Sequence, residues 1–216
     1  MMKKILLILA HPFYLFYLLV SFPFKLANII IKDKKDYPTK KKKLKINTDV
    51  NFLYIGELLF ADCKKEFKEF YNLYLTDKKQ LNTKYSINLQ SNNGDCKPIE
   101  IVYAFGNYKQ KIGFIDWKGE ENINEVEEFI EHYVDKKLIW KNAIFLRASV
   151  KESKQDDGIF IKKLFHAIDK DLQSINYRLL FFDMGGDAYV YIPIMTTIFK
   201  QILENAPNNF QSVDDL

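Results

Sequence analysis

Residues 111–134, KIGFIDWKGEENINEVEEFIEHYV, leave the chain few local choices. Ile112, Phe114 and Asp116 alternate with Ile115 and Trp117, the two-residue period of a strand. Gly119 then ends that pattern. From Val126 the period changes: Val126, Phe129, Ile130 and Tyr133 recur at i, i+3, i+4 and i+7, one face of a helix. Asn122 with Glu125 three residues later has the form of a capping box. The stretch therefore predicts a strand, a sharp polar turn and an amphipathic helix. Glu127, Glu128, Glu131 and His132 fall opposite the apolar stripe and are expected to face water, with the acids complementing the helix N-terminus.

The other segments follow the same two periods. Residues 49–75 predict helix, with Leu59, Cys63, Phe67, Phe70 and Tyr74 on one apolar face, and residues 77–81 a polar loop. Tyr85–Leu89 is a short strand candidate, and Ser91–Asp95 a turn. Ile99–Phe105 and Lys111–Trp117 read as two strands joined around Gly106-Asn107. Asn142–Val150 reads as a further strand, and residues 151–157 as a polar loop. Residues 158–172 predict a helix, because Ile161, Leu164, Phe165, Ile168 and Leu172 line one stripe. Tyr177–Asp183, YRLLFFD, is almost wholly apolar and so predicts a central strand. Ala188–Ile192 returns as its hairpin partner across Gly185-Gly186. Pro193 is expected to close that strand and open a last helix through Glu204. Strands in hairpins mixed with helices predict an α+β fold: a mainly antiparallel sheet with packed helices. With 18 Phe and 13 Tyr, much of its core is expected to be aromatic.

Ahead of this body stands a different kind of sequence. Ile5–Phe24, ILLILAHPFYLFYLLVSFPF, is about as long as a helix needs to be to cross a bilayer. His11, Pro12, Ser21 and Pro23 interrupt it, so a re-entrant or interfacial segment is a rival reading. A cleaved signal peptide is another, though the apolar run is long and carries no clear cleavage site. Lys25, Lys32, Lys34, Lys35, Lys40 to Lys43 and Lys45 follow closely, against Lys3 and Lys4 before the run. The positive-inside rule then places the C-terminal body in the cytoplasm, at the inner membrane. The expected organisation is a membrane anchor over 1–31, a basic linker over 32–48, a globular domain over 49–206 and a flexible tail over 207–216. Anionic lipid is the expected contact of the lysines. They lack interleaved aromatics, so no nucleic acid is expected. Cys63 and Cys96 have no CxxC spacing and read as free thiols, as suits a cytoplasmic body.

Two clusters carry the chain's acid–base chemistry. One is Asp116, Lys118, Glu120 and Glu121 around Trp117; the other is Asp183 and Asp187, bracketing Met-Gly-Gly. Glu100 is the only acid on the expected neighbouring strand, so Glu100, Asp116 and Lys118 resemble the acid…acid-x-Lys pattern of magnesium-dependent nucleases and hydrolases. The structural alternative is a strand-end ion pair flanking an anchoring Trp. Asp183 and Asp187 would bind a cation or, more ordinarily, accept backbone N–H groups in their turn. His11, His132 and His166 fall on separate segments and form no triad. No cofactor and no metal site is expected. The binding patch expected from these clusters is Asp116, Trp117, Lys118, Glu120, Glu121, Asp183 and Asp187.

The run FIDWKGEE, the helix after it, and YRLLFFDMGGDAYVYIPI resemble an uncharacterised bacterial family described only as a domain of unknown function. The resemblance covers residues 99–204. It implies a small binding domain with a protein partner, such as an immunity protein that binds a toxin. It transfers no catalytic residue.

Overall fold

A computed structural model describes residues 51–87, 97–150 and 158–216. The apolar run, the basic linker, the Ser91–Asp95 turn, Cys96 and the 151–157 loop lie outside these residues. In chain order the elements are α1 (Phe52–Leu59), a 3-10 turn (Ala61–Cys63), α2 (Lys64–Thr76), α3 (Lys78–Tyr85) and α4 (Pro98–Tyr108). Then come β1 (Gly113–Asp116), α5 (Glu125–Val134), α6 (Lys141–Ser149) and α7 (Gly158–Gln173). The chain ends with β2 (Tyr177–Phe182), β3 (Ala188–Met195), α8 (Thr196–Asn205), β4 (Phe210–Gln211) and a 3-10 turn (Val213–Asp215). The fold is α+β. Its sheet has the order β1-β3-β2-β4 with every pair antiparallel. Among the described residues no helix is long and apolar enough to cross a membrane.

The sheet is buried on both faces, which explains the continuous apolar run of β2. Leu180 and Phe182 point into one core with α1 to α4 and Phe199 of α8. Leu179 and Phe181 point into a second core with α5, α6 and α7. β3 divides in the same way, Val190, Ile192 and Ile194 against Tyr191. In the first core Phe60, Phe67, Phe70 and Phe105 pack edge-on or tilted, with ring centroids 5.0–5.5 Å apart. Such offset geometries suit the ring quadrupole.

Three expected strands are corrected by the structure. Residues 99–105 form α4, not a strand, and no hairpin turns at Gly106-Asn107. Pro98 occupies the first helical turn, and the Glu100 carboxylate accepts the Lys97 N–H at 3.0 Å. Those are helix-start signals that outweigh the β-branched run Ile99, Ile101, Val102. Gly106 lets Ile112 close against the helix, where a Cβ would stand 2.3 Å from its Cδ1. Residues 142–150 form α6, for a reason that lies far along the chain: the buried Asp171 carboxylate accepts the N–H groups of Asn142 (3.0 Å) and Ala143 (3.1 Å). It thus caps the helix from 28 and 29 residues away. Tyr85 ends α3 instead of opening a strand, and the 77–81 segment is no loop, since Asp77 caps α3 by accepting Gln80 N–H at 2.9 Å. α1 and α2 are separate helices broken at the 3-10 turn around Asp62.

Pro193 does not close its strand. β3 runs on to Met195, and Pro193 pairs with Leu179. The Thr196 N–H donates to Asn176 C=O, which fixes the ladder's alternation and turns the nitrogen of Pro193 toward β1. β1's last pair on that side is Gly113 with Tyr191, so no ladder bond is missing there. The tail expected to be flexible is built in. Phe210 and Gln211 pair with β2, and Phe210 and Val213 are buried.

Candidate functional site

The strongest candidate is the end of the sheet where β1 stops and β2 turns into β3. Asp116 pairs with Ala188, and the Trp117 N–H donates to Asp187 C=O at 3.1 Å. Asp116, Trp117 and Asp187 are thereby set side by side. After Trp117 the chain reverses tightly: Gly119 N–H returns to Asp116 C=O at 3.0 Å, and Gly119 takes φ +131°. The Asp116 carboxylate accepts the Lys118 N–H at 2.9 Å. Asp183, at the other side of the β2–β3 turn, accepts the Gly185 N–H at 3.3 Å, with Gly185 at φ +69°. That is the turn-satisfying role expected of a short acid beside glycine.

Trp117 follows the edge strand β1 at this end and is 47% exposed. It is also held. A Cβ on Gly158, at the start of α7, would lie 2.9 Å from Trp117 O and 3.1 Å from its ring, so only glycine fits that approach. The Lys118 ammonium sits 5.8 Å from the indole centroid. Asp116, Lys118, Glu121, Asp183 and Asp187 are all exposed. The half-exposed indole and the exposed carboxylates at this end of the sheet suit a guanidinium or ammonium group, which can stack on such a ring or bond such acids.

Glu120 does not belong to this patch. It turns inward, where Arg147 Nη2 stands 2.8 Å from its Oε2 and the Val126 N–H donates to Oε1 at 3.1 Å. Arg147 also grips Glu127 through Nε at 2.9 Å and Nη2 at 2.7 Å. Glu127 is buried, which corrects its expected place on a solvated face. Glu131 is likewise engaged: its carboxylate accepts Trp140 Nε1–H at 3.0 Å, Leu138 N–H at 3.1 Å and Lys137 at 2.7 Å. Lys137, together with the backbone and indole donors, holds that carboxyl below the ordinary glutamate range. Glu120 goes the other way. Burial raises it, and the Val126 N–H and Arg147 only partly offset this. The helix that follows is entered two residues later than expected, with Asn124 at its N-cap, although Glu125 does accept the N–H groups of Glu121 at 2.9 Å and Asn122 at 3.4 Å.

The nuclease arrangement loses its first acid. Glu100 lies in the first turn of α4, occupied with the Lys97 N–H, while the strand beside β1 is β3. Among the described residues no group of three or more His, Cys, Asp or Glu is placed to hold a metal ion. Burial, with Asp62 beside it, pushes the Cys63 thiol up to about 11. His166 Nδ1 approaches Asp214 at 3.7 Å on an exposed surface.

Three buried or half-buried polar groups went unread in the sequence: Arg147, Asp171 and the pair Asp169–Arg178. Asp169 accepts Leu179 N–H at 2.8 Å and Arg178 Nε at 2.9 Å, tying α7 to β2. The signal was scarcity. The chain has two arginines among 32 Lys and Arg, and both sit in these networks, as suits a planar fork that is less strongly hydrated than an ammonium.

A family model described as a domain of unknown function (DUF6630) matches residues 57–210. The chain belongs to this family. The DUF6630 match takes in β1, β2, β3 and every helix from α2 to α8 and ends at the first residue of β4, so the Trp117 sheet end and the Arg147 network both lie within the family's own domain. It agrees with the uncharacterised family that the sequence resembles. No curated protein and no solved structure matches.

Proposed function

We propose that the chain is a membrane-held, cytoplasm-facing protein-binding domain that takes a basic segment of its partner at the Trp117 sheet end, in the manner of an immunity-type protein that binds a toxin. The carrying observation is Trp117 itself, half exposed yet fixed by Asp187 C=O and by the glycine at 158. A pre-positioned aromatic loses little freedom on binding and is the commonest kind of anchor in protein interfaces. Asp116, Asp183 and Asp187 supply the complementary charge. The apolar run and the lysines after it support the membrane tether and the side on which the domain lies. The hydrolase alternative rested on Glu100 in a strand beside β1, and Glu100 is in a helix.

A photo-crosslinking residue in place of Lys118 tests this in cells, with the adduct identified by mass spectrometry. Trp117→Ala and Asp116→Ala should each remove the adduct while the near-UV circular dichroism of the purified variants shows a retained fold. An adduct that persists at full yield in both variants refutes the patch.

A further inference from the structure

α6 is inverted relative to an ordinary surface helix. Ala143 is its fully buried residue, with Leu146 and Arg147 half-buried beside it. Its outer face is Lys141, Ile144, Phe145 and Ala148, at i, i+3, i+4 and i+7, and all four are exposed. Ile144 is 64% and Phe145 77% exposed, and Ile139, just before the helix, is 76% exposed. The rotation of the helix is not slack. Asp171 grips its first turn, and Arg147 ties its last turn to Glu120 and Glu127. With those bonds made, Ile144 and Phe145 have nowhere to point but outward.

The charges around this face are mostly basic. Lys136 and Lys137 precede Ile139, and Lys141 shares the helix face. Among the described residues the acids nearest before it in sequence are Asp135, which is exposed, and Glu131, which bonds Lys137 at 2.7 Å; Glu152, Asp156 and Asp157 lie outside the described residues. An exposed Phe and two Ile bordered by lysines have the composition of a surface that dips into the headgroup boundary of an anionic bilayer.

We propose that the Ile139–Ile144–Phe145 face rests on anionic lipid, so that the domain lies against the membrane instead of hanging free from it. The inference rests on the reading of residues 5–31 as a membrane-held segment. A nine-residue helix is too small to hold a protein at a bilayer alone. Joined in one chain to such a segment, it meets the lipid at high effective concentration. The linker of 32–48 spans roughly 60 Å when extended, ample for the domain to settle on the surface.

The test uses the full chain with Cys63→Ala and Cys96→Ser, carrying an environment-sensitive fluorophore at Phe145→Cys or at Leu75→Cys. Leu75 is 63% exposed on α2 and serves as the apolar control. The chain is reconstituted into vesicles of phosphatidylethanolamine and phosphatidylglycerol with or without brominated acyl chains, and vesicle association is read in parallel by flotation. The label at 145 should be quenched several-fold more than the label at 75, and Lys136→Glu with Lys141→Glu should remove most of that difference. Equal quenching at both sites, or none, in chains that float with the vesicles overturns the lipid-facing surface while leaving the tether intact. A chain that does not float overturns both. A concentration-dependent blue shift at 145 without bromolipid quenching assigns the face to a second copy of the chain and also overturns the proposal.

Discussion

Replacing Arg147 by Met tests what the structure says about the acidic side of α5. The guanidinium makes charge-assisted contacts to both acids, at 2.7 and 2.9 Å to Glu127 and at 2.8 and 2.9 Å to Glu120, with both carboxylates nearly sealed from water. Met keeps much of the aliphatic stem but loses the guanidinium, whose carbon stands 5.9 Å from the Phe160 ring centroid, and leaves two buried carboxylates without their cation. Removing one partner from such a group costs about 3–5 kcal/mol. At about 2–4 °C per kcal/mol for a chain of this size, thermal unfolding should fall by roughly 6–20 °C at pH 8. Acid should relieve the deficit, and the sign follows from Glu120. Its carboxyl is already raised by burial, and without Arg147 it rises further. The unfolded value is about 4.3. A group whose folded value exceeds its unfolded one favours the fold when protonated, so the deficit is small below pH 4 and grows as pH climbs through the folded value of Glu120. Thermal unfolding of Arg147→Met and wild type by near-UV circular dichroism, at pH 5 and pH 8, reads this directly. Arg147→Lys should lie between them, since an ammonium cannot fork across two carboxylates. A loss below about 1 kcal/mol, or one that is equal at both pH values, would refute the buried triad.

Two further outcomes follow from packing and burial. Gly56→Ala should lower the urea midpoint by about 1–3 kcal/mol of stability although alanine is the better helix former, because its Cβ would stand 2.0 Å from the ring of the fully buried Phe67; a raised midpoint would show that the ring has room to move. In a Cys96→Ser background, Cys63 should react with iodoacetamide at pH 8 on the order of a hundredfold more slowly than free cysteine, because its thiol is pushed up to about 11; a rate within a few-fold of free cysteine contradicts that environment.

Where the sequence was legible, the cause was local. β2 announced itself because a strand covered on both faces has no polar alternation, and the α7 stripe because Ile161, Leu164, Phe165 and Ile168 all enter one core. The juxtaposition of Asp116, Trp117 and Asp187 was half legible, since strand ends and glycine turns could be read but the pairing of β1 with β3 could not. α4 carried its own start signals in Pro98 and Glu100, and the β-branched residues after them drew the reading toward a strand. α6 had no such local cap. Its N-terminal N–H groups are satisfied by Asp171, on another helix. The polar side of α5 was misread for the same reason: Glu127 belongs to water until Arg147, 20 residues on, folds back to it.

Arg147 also joins the two candidate surfaces. Glu120 is the first residue after Gly119, so the bond to Arg147 fixes the far end of the turn that carries Trp117. The bond to Glu127 fixes the last turn of α6, and with it the outward direction of Ile144 and Phe145. One half-buried cation thus sets the position of the aromatic meant for a partner and the face meant for lipid. The consequence separates the two readings. Trp117→Ala acts on the sheet end alone, and a charge at Phe145 acts on α6 alone, because both side chains are exposed and neither takes part in the triad. Arg147→Met acts on both through their shared support. Loss of partner crosslinking at 118 together with loss of lipid quenching at 145 in that variant, at a temperature where it remains folded, would place the triad between the two surfaces. Crosslinking and quenching that both survive would mean that each surface is held by its other contacts: Asp187 and Gly158 for Trp117, Asp171 and Ala143 for α6.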